Sequence, residues 1–436
     1  MNGNVLERIF GLAAHGTTVR TEVLAGITTF LTMIYIVAVN PAILGDAGMS
    51  VPAVAIATCI AAGIGSVLMG LVSNTPLALA PGMGLNAYFT YTVVKGMGVP
   101  WETALGCVFI SGLAFLVLTA IGARQLIVGA IPRSLFSAVA GGIGLFIAFI
   151  GLHNAGIIVA HPATLVTLGN VRAPQTALAL IGVVVIGTLQ VWRVRGAILI
   201  GVVAVTAAAI PFGLVHWQVS SYSIAALTQT AFRLDIRSAI HVGLLEIIFV
   251  FFFVDLFDNL GTLVAVAKKA DLIGPDGNIP RLNSILFADA AATIIGSLTG
   301  TSTVTSYVES SAGVAAGGRS GITAIVTGFC FLIALFAAPL VGIVPTAATA
   351  PALIIVGSLM LTTITEIPWS EPLSAIPAFL TLIMIPLSAS IANGLGFGVI
   401  AYACVHILSG RFRREDWLLY LLAVLFLVRF IYVANA

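Results

Sequence analysis

Long apolar runs separated by short polar stretches dominate the pattern of hydrophobic and polar positions along this chain. Each run is close to the roughly 20 residues that an α-helix needs to cross the hydrocarbon core of a bilayer. We therefore predict two sets of seven membrane spans. The first set covers residues 22–40, 53–73, 76–94, 102–122, 134–152, 174–192 and 196–212. The second covers residues 240–266, 283–299, 301–315, 320–342, 349–363, 373–389 and 393–409.

Two of these runs contain interruptions that an ordinary spanning helix would not have. Residues 76–86 (PLALAPGMGLN) are broken by proline and glycine, and residues 300–310 (GTSTVTSYVES) are rich in β-branched and hydroxyl side chains. Backbone that leaves the helical state at membrane depth is tolerated only where protein buries it or where it lines a cavity. A matched pair of such segments in the two halves of a chain indicates the binding site of a transporter.

Composition narrows the class of protein. Hydrophobic residues make up 60% of the 436 residues and charged residues only 8%, against roughly 25% charged residues in soluble proteins. We therefore predict an all-α polytopic membrane protein. The net charge of +2 gives no argument for a nucleic-acid partner. The four cysteines lie in apolar runs without a CxxC pair, as packing residues do, and no cofactor or metal is expected.

The distribution of Lys and Arg predicts the orientation in the membrane. With the N-terminus in the cytoplasm, thirteen basic residues fall inside and four outside, as the positive-inside rule requires. The inner set is Arg8, Arg20, Arg124, Arg133, Arg193, Arg195, Lys268, Lys269, Arg281, Arg319, Arg411, Arg413 and Arg414, and the outer set is Lys95, Arg172, Arg233 and Arg237. Because each half has an odd number of spans, the second half enters from the opposite side and the repeat is inverted. The amphipathic segment 1–20 is predicted to lie at the cytoplasmic face.

Five of the sixteen carboxylate side chains lie inside predicted spans, not counting Glu22 and Glu102 at the first residue of a span, whereas no Lys or Arg lies deep within any of the fourteen. These acids are Glu246, Asp255, Asp258, Asp289 and Glu309. Ionisable groups inside a membrane are costly and are functional candidates by default. Without basic partners, they are expected to be neutralised by protons or to face a wet cavity, and they are therefore candidates for carrying a transported proton.

Each acid also has a structural interpretation. Glu246 lies near a span end and is expected at the interface. Asp255 is three residues from Asp258 on the same helix face, where it could cap or pair with a neighbouring helix. Asp289 lies among small residues and could hydrogen bond the backbone of a broken segment. Asp258 and Glu309 are the hardest to explain by structure alone.

The chemistry of the interruptions indicates the kind of molecule that binds. Half-helices whose N-termini meet at the membrane midplane present free N–H donors and positive dipole ends, which alone favour an anion. The same place holds Glu309 and Asn86, although Asn86 could instead cap the half-helix that begins there. Donors beside acceptors suit a flat, neutral, hydrogen-bonding heterocycle.

Two other classes of function fit less well. An anion exchanger or channel of the same architecture is the alternative, and it would require Arg or Lys at the position of Glu309. An intramembrane enzyme would require a catalytic motif, but the chain contains neither HExxH nor GxSxG. We therefore do not expect an enzyme.

Four short segments carry a family signature: residues 15–22 (HGTTVRTE), 80–87 (APGMGLNA), 257–262 (FDNLGT) and 307–310 (YVES). Together they resemble the AzgA-like branch of the nucleobase–cation symport family (nucleobase/ascorbate transporters). The members of this branch are permeases for adenine, guanine and hypoxanthine. The resemblance extends over essentially the whole chain.

The resemblance implies an architecture and a mechanism. Fourteen spans form two inverted seven-span repeats, and spans 3 and 10 each pair a short strand with a half-helix. The base binds between these two spans and against span 8. A core domain slides past a gate domain in an elevator movement that imports a purine nucleobase with a proton across the inner (cytoplasmic) membrane, and the gate forms a homodimer contact. The implied boundaries are 1–20 for the N-terminus, 21–123 and 240–342 for the core, 124–239 and 343–410 for the gate, and 411–436 for a basic linker with an extra apolar segment.

The resemblance also implies roles for individual residues. The substrate-binding positions are Asn86, Asp258, Val308 (through its backbone N–H) and Glu309, and the proton-coupling positions are Asp258, Glu309, Asp289 and Asp255. The chain departs from the family pattern in three places. Asp258 stands where uracil and xanthine members carry the longer Glu, related purine permeases can lack an acid at position 255, and Thr262 stands where some members have an ionisable group. The detailed path of the proton is therefore left open.

One segment lies outside the two predicted repeats. Residues 417–433 are apolar and contain Arg429. Their length fits either a fifteenth crossing or a helix lying in the membrane interface, and the sequence slightly favours the interface.

Overall fold

The computed structural model of this chain describes residues 5–122, 132–215, 224–241, 244–270, 272 and 279–432, most of which are helical. The helices of the first half are α1 (Val5–Phe10), α2 (Val19–Met33), α3 (Ile36–Gly45), α4 (Val51–Ser73), α5 (Met83–Ala87), α6 (Trp101–Ala120), α7 (Arg133–Asn154), α8 (Pro174–Val191), α9 (Ala197–Ala209) and α10 (Ile236–Ala239). Those of the second half are α11 (Leu245–Lys269), α12 (Leu282–Thr299), α13 (Ser310–Ala315), α14 (Gly321–Ala334), α15 (Thr346–Met360), α16 (Pro372–Leu387), α17 (Ile391–Leu408) and α18 (Trp417–Tyr432). The strands are β1 (Leu79–Pro81), β2 (Ile158–His161), β3 (Leu165–Leu168) and β4 (Val304–Ser306). A π-helix, Tyr88–Gly96, continues α5.

Nine helical segments within the described residues are long and apolar enough to cross a membrane. They are Val19–Gly45, Val51–Ser73, Trp101–Ala120, Arg133–Asn154, Pro174–Val191, Leu282–Thr299, Gly321–Ala338, Thr346–Glu366 and Ile391–Leu408. Shorter apolar helices cover Ala197–Phe212, Pro372–Leu387 and Trp417–Ile431. The prediction of a helical polytopic membrane protein is confirmed at this level, whereas the count of fourteen spans and the inverted repeat stay predictions.

Both interruptions leave the helical state, as their sequences predict. Strand β1 lies in the first and pairs antiparallel with β4 in the second, with Leu79 opposite Ser306 and Pro81 opposite Val304. A short helix follows each strand, α5 after β1 and α13 after β4. Because each strand pairs with the other, backbone groups that could not be exposed to lipid are satisfied inside the protein.

A hydroxyl group from the preceding helix fixes the start of each strand. Ser66 on α4 accepts a hydrogen bond from the N–H of Leu79 at 2.9 Å and donates one to its carbonyl at 3.1 Å. Thr293 on α12 forms the same pair of bonds with Val304, at 3.2 and 2.9 Å. In both halves of the chain, therefore, a side-chain hydroxyl holds the strand by the same pair of hydrogen bonds.

Glycine allows α4 and α14 to approach each other closely. A Cβ atom on Gly70 would lie 2.4 Å from the carbonyl oxygen of Gly321, and one on Gly328 would lie 2.5 Å from the carbonyl oxygen of Gly63. Small residues at helix contacts are the usual means of close packing in membranes, where lipid removes the hydrophobic drive for association.

The carboxylate of Glu22 is buried and caps the N-terminus of α14. It accepts hydrogen bonds from the N–H of Arg319 at 2.8 Å, the N–H of Ser320 at 3.2 Å and the hydroxyl of Thr323 at 2.6 Å. Negative charge at a helix N-terminus is favourable because it meets unpaired N–H groups and the positive end of the dipole. Glu22 is therefore a structural acid that links α2 to α14.

Replacing Glu22 by Ala should destabilise the protein, because it leaves these three donors without an acceptor in a buried place. We expect a loss of about 2–4 kcal/mol, and a smaller loss for Glu22→Gln, which keeps one acceptor oxygen. Thermal unfolding of the purified protein in detergent measures the difference. Glu371→Ala is the matched control, since Glu371 is exposed and precedes α16 without a side-chain capping bond. An unchanged melting temperature for Glu22→Ala would contradict this role.

The chain divides into two compact units, Met1–Ala120 with Leu152–Ala352, and Ile121–Gly151 with Leu353–Ala436. The first unit contains both interruptions and all four strands. The second contains most of α7 and the C-terminal helices. The predicted core and gate domains stay predictions, and their first boundary, at residues 123 and 124, lies outside the described part of the chain.

Helix α18, in the second unit, runs antiparallel along α17. The hydroxyl of Tyr402 donates to Asp416 at 2.8 Å near one end of the pair. At the other end the guanidinium of Arg429 donates to the side-chain oxygen of Asn393 at 2.9 Å. Between them, Gly396 lies against the ring of Phe426. A helix that accompanies α17 over most of its length favours a crossing over the interfacial helix that the sequence slightly favours.

A short hairpin of β2 and β3 lies in the predicted outer loop between spans 5 and 6. The strands pair antiparallel, with Ile158 opposite Leu168 and His161 opposite Leu165. These strands are not predicted from the sequence, because segments of four residues are much shorter than the apolar runs of about 20 residues that dominate the pattern.

Candidate functional site

The paired strands place an accessible patch next to α11 and α13. The side chain of Val308 is 48% exposed, and Glu309 and Asp258 are half-buried. By contrast, every residue of β1 and β4 is buried. Three of the four predicted substrate-binding residues therefore lie at an accessible surface of the first unit.

Glu309 lies immediately before α13 and is held from the first span. Its Oε1 atom accepts a hydrogen bond from the hydroxyl of Tyr35 at 2.8 Å. Among the described residues, no other side chain donates to this carboxyl group. One oxygen is therefore anchored by Tyr35, and the backbone N–H of Glu309 also interacts with the carboxyl group; the remaining acceptor positions can bind a ligand or a proton.

Asp258 projects from α11 toward the start of α5. A Cβ atom built on Gly82 would lie 3.9 Å from its Oδ2 atom and 2.9 Å from the methyl group of Thr305. The carboxyl group of Asp258 is also close enough to that of Glu309 for their charges to interact. No side chain in the described part of the chain hydrogen bonds to Asp258, so its acceptor atoms are available.

Residues around the two acids hold the two interruptions together. The N–H of Tyr307 donates to the carbonyl of Ala78 at 3.0 Å, and its hydroxyl donates to the carbonyl of Pro81. The hydroxyl of Ser306 donates to the side-chain oxygen of Asn259 at 3.2 Å. Asn259 follows Asp258 on α11, so these bonds tie α11 to both strands.

Asn86 lies inside a buried polar network. Its amide nitrogen donates to the side-chain oxygen of Asn40 at 2.6 Å, and its amide oxygen accepts a hydrogen bond from Ser302. Asn40 in turn donates to Thr58 at 2.7 Å and to Thr301 at 2.9 Å. Asn86 lies within α5, whose N-cap is Gly82, so it does not cap that helix. Direct contact between Asn86 and a substrate would require this network to open.

Asp255 and Asp289 are both buried. Asp289 lies on α12, the helix that holds β4, and Asp255 lies on α11. Thr293, which binds the first residue of β4, also donates to Asp255 at the long distance of 3.4 Å. Asp289 lies one turn before Thr293 on α12. The spacing of Asp255 and Asp258 on one helix face is as predicted, but only Asp258 is accessible. Glu246 lies in the first turn of α11 and is half-buried.

Tyr35 and Asn40 are not predicted as functional residues, although the sequence contains an indication for each of them. Tyr35 lies inside the first predicted span, where tyrosine is uncommon because it prefers the membrane interface, and Asn40 is the last residue of that span. A buried amide in a span also requires partners. The partners themselves, Glu309 and Thr301, lie more than 250 residues away in sequence.

Comparison with known proteins shows that the sequence is similar to permeases. The model of the permease family Xan_ur_permease matches residues 20–396. The adenine permease AdeP of Escherichia coli is 43% identical over 429 residues, covering 98% of this chain and 96% of that protein. The guanine/hypoxanthine permease PbuG of Bacillus subtilis is 45% identical over 430 residues, covering 96% and 98%.

A solved structure shares the fold at low sequence identity. The transmembrane domain of the cyanobacterial bicarbonate transporter BicA superposes with a TM-score of 0.65 and 17% identity, covering 87% of this chain and 97% of that one. At this identity the similarity concerns the fold and not the transported molecule.

Proposed function

We propose that this chain, which belongs to the Xan_ur_permease family of permeases, carries purine nucleobases across a membrane. The family resemblance found in the sequence is confirmed by the match over residues 20–396 and by the two relatives. The chain is accordingly a transporter and not an enzyme. The observation that carries the proposed substrate is the accessible pair of acids, Asp258 and Glu309, beside two paired strands.

The chemistry of the patch suits a purine. A purine base is flat and carries ring N–H groups that a carboxylate can accept, together with ring nitrogens that accept hydrogen bonds. Asp258 and the free oxygen of Glu309 would accept, while the N–H of Val308, which no described backbone group binds, would donate. Asn86 would contribute by holding α5 in place, or by direct contact if its network opens.

We propose that the co-transported ion is a proton carried by Asp258 or Glu309. Two ionised carboxylates that face each other repel, and a proton bound to one of them removes that cost. Asp255 would support this exchange through Thr293 and β4, and Asp289 is proposed for the same role from the family resemblance. We thus propose that Asp258 and Glu309 both contact the base and that one of them carries the co-transported proton.

The remaining features rest on the family resemblance. They are an elevator movement of a core domain past a gate domain, a homodimer, and a place in the inner (cytoplasmic) membrane with the N-terminus in the cytoplasm. The elevator movement requires the substrate residues to travel as one group, and the hydrogen bonds among β1, β4 and α11 would serve that purpose. The lipid bilayer is then the immediate environment of the chain.

The anion exchanger or channel stays the alternative. The shared fold with BicA does not favour it, because that likeness concerns the fold alone. A small anion would need a positive group, and within the described part of the chain no Lys or Arg contacts Asp258 or Glu309. The two acids would instead repel an anion.

Uptake of labelled purines in cells that lack their own purine permeases tests the proposal. We expect saturable uptake of at least one of adenine, guanine and hypoxanthine, competition by the preferred bases, and loss of accumulation when a protonophore is added. The empty vector is the control for background entry. A chloride, sulfate or bicarbonate flux without any purine uptake would favour the anion transporter and overturn the proposal.

A further inference from the structure

The hydrogen bond between Tyr35 and Glu309 joins the first span to the second interruption. Tyr35 is only 2% exposed, and its hydroxyl donates to Oε1 of Glu309 at 2.8 Å. The two residues are 274 positions apart in sequence. Since Tyr35 is buried and Glu309 is accessible, Tyr35 can act on a ligand only through Glu309.

The backbone fixes Tyr35 at a break in the first span. Helix α2 ends at Met33 and α3 begins at Ile36, so Tyr35 lies between two helices. The same span also contacts the segment that follows Glu309. Gly313 lies so close to Thr29 that a Cβ atom there would be 2.1 Å from the hydroxyl oxygen, and Glu22 caps the helix beyond. Tyr35 therefore belongs to a rigid contact and is not a loose side chain.

We propose that Tyr35 is a positioning residue that determines which oxygen of Glu309 meets the substrate and the proton. In a protonated carboxyl group the carbonyl oxygen is a better hydrogen-bond acceptor than the hydroxyl oxygen, so a tyrosine hydroxyl that donates to Oε1 favours a proton at Oε2. Oε2 then accepts a hydrogen bond when Glu309 is ionised and donates one when Glu309 is protonated. The inference rests on the proposed function, and it adds a defined orientation of the exchangeable proton.

The first test compares Tyr35→Phe with Tyr402→Phe. Tyr402 is a matched control, because its hydroxyl also donates to a carboxylate, that of Asp416, at 2.8 Å. For Tyr35→Phe we expect the KM of purine uptake to rise about tenfold with a change in maximal rate of less than twofold. Tyr402→Phe should leave both values unchanged. A merely structural role would lower the amount of folded protein and the maximal rate instead, and that result would overturn the proposal.

A double variant tests whether Tyr35 acts through Glu309. In equilibrium binding of a labelled purine to purified protein, Tyr35→Phe should weaken binding about tenfold in the wild-type background. In the Glu309→Ala background it should have less than a twofold effect, because Ala has no side-chain oxygen for Tyr35 to position. An equal loss in both backgrounds would contradict the positioning role.

An infrared measurement separates this inference from the proposed function. A hydrogen bond to Oε1 lowers the stretching frequency of the protonated Glu309 carboxyl, so Tyr35→Phe should raise that band, which Glu309→Gln identifies by removing it. If Tyr35→Phe does not fold, 3-fluorotyrosine can be placed at position 35 instead. It is a stronger hydrogen-bond donor of nearly the same shape, so it should lower the Glu309 carboxyl band below its wild-type frequency. An unchanged band overturns the inference. Absence of purine binding together with a shifted band would overturn the proposed function alone.

Discussion

Glu309→Gln is expected to lower the initial rate of purine uptake about 100-fold without changing the amount of protein in the membrane. Gln has nearly the same shape as Glu, so packing against Tyr35 is kept. It replaces the free acceptor oxygen with an amide group and cannot exchange a proton. Loss of one charge-assisted hydrogen bond is worth about 1.5–3 kcal/mol, or about 10- to 150-fold in affinity, and accumulation driven by protons should disappear.

Glu366→Gln provides the control for this result. Glu366 is an exposed acid of the second unit whose described partner is the hydroxyl of Ser137, at 3.3 Å. It should retain uptake within twofold of the wild type. Initial rates should be measured at matched expression, with the protein quantified in the same membranes. Normal proton-driven uptake by Glu309→Gln would refute the role of this acid.

Asp258→Asn is also expected to lower the initial rate of purine uptake, by about 10- to 100-fold. Asp258 has no described side-chain partner, so the substitution leaves no protein donor unsatisfied and should not unfold the protein. Its effect should therefore appear in uptake and purine binding and not in the melting temperature. This separates it from Glu22→Ala, whose effect should appear in stability.

Asp46→Asn is the control for Asp258→Asn. Asp46 accepts a hydrogen bond from Tyr91 at 2.6 Å, away from the two strands. We expect near-normal binding for this variant. Retention of wild-type binding and uptake by Asp258→Asn would remove Asp258 from the site and leave Glu309 as the single acid that contacts the base.

The interruptions could be predicted from sequence because their chemistry is local. Pro76, Pro81 and Gly82 lie close together and jointly disfavour a continuous helix, whereas a single proline is accommodated elsewhere, as Pro41 is in α3. A run of hydroxyl and β-branched residues favours an extended backbone. The acids could be found for a similar reason, since a carboxylate without a basic neighbour in an apolar run is costly in any fold. The pairing of β1 with β4 then brings the two segments together.

What could not be predicted depends on contacts between distant parts of the chain. Spacing predicts that Asp255 and Asp258 share a helix face, but it does not reveal that Asp255 is buried near Thr293 while Asp258 is accessible. Likewise, Asn86 is predicted as a substrate ligand, yet its amide is engaged by Asn40 and Ser302. Such partners become visible only when the helices are packed.

The membrane topology of the C-terminal helix α18 also depends on contacts that the sequence does not reveal. An apolar segment of about 16 residues is close to the limit for a crossing, and sequence alone slightly favours the interface. The contacts of Asp416 and Arg429 with residues of α17 favour a crossing. The choice between the two arrangements therefore depends on the contacts with α17 and not on the sequence of α18 alone.

Transport by purified protein in liposomes is the most direct test of whether a proton gradient drives purine uptake through Glu309. The wild-type protein and Glu309→Gln should be reconstituted in parallel, loaded with buffer, and given labelled adenine, guanine or hypoxanthine with and without an inwardly directed proton gradient. We predict that the gradient drives accumulation of at least one base in wild-type liposomes and none in Glu309→Gln liposomes. Equal accumulation in both, or no gradient-dependent uptake of any of the three bases by folded wild-type protein, would contradict it.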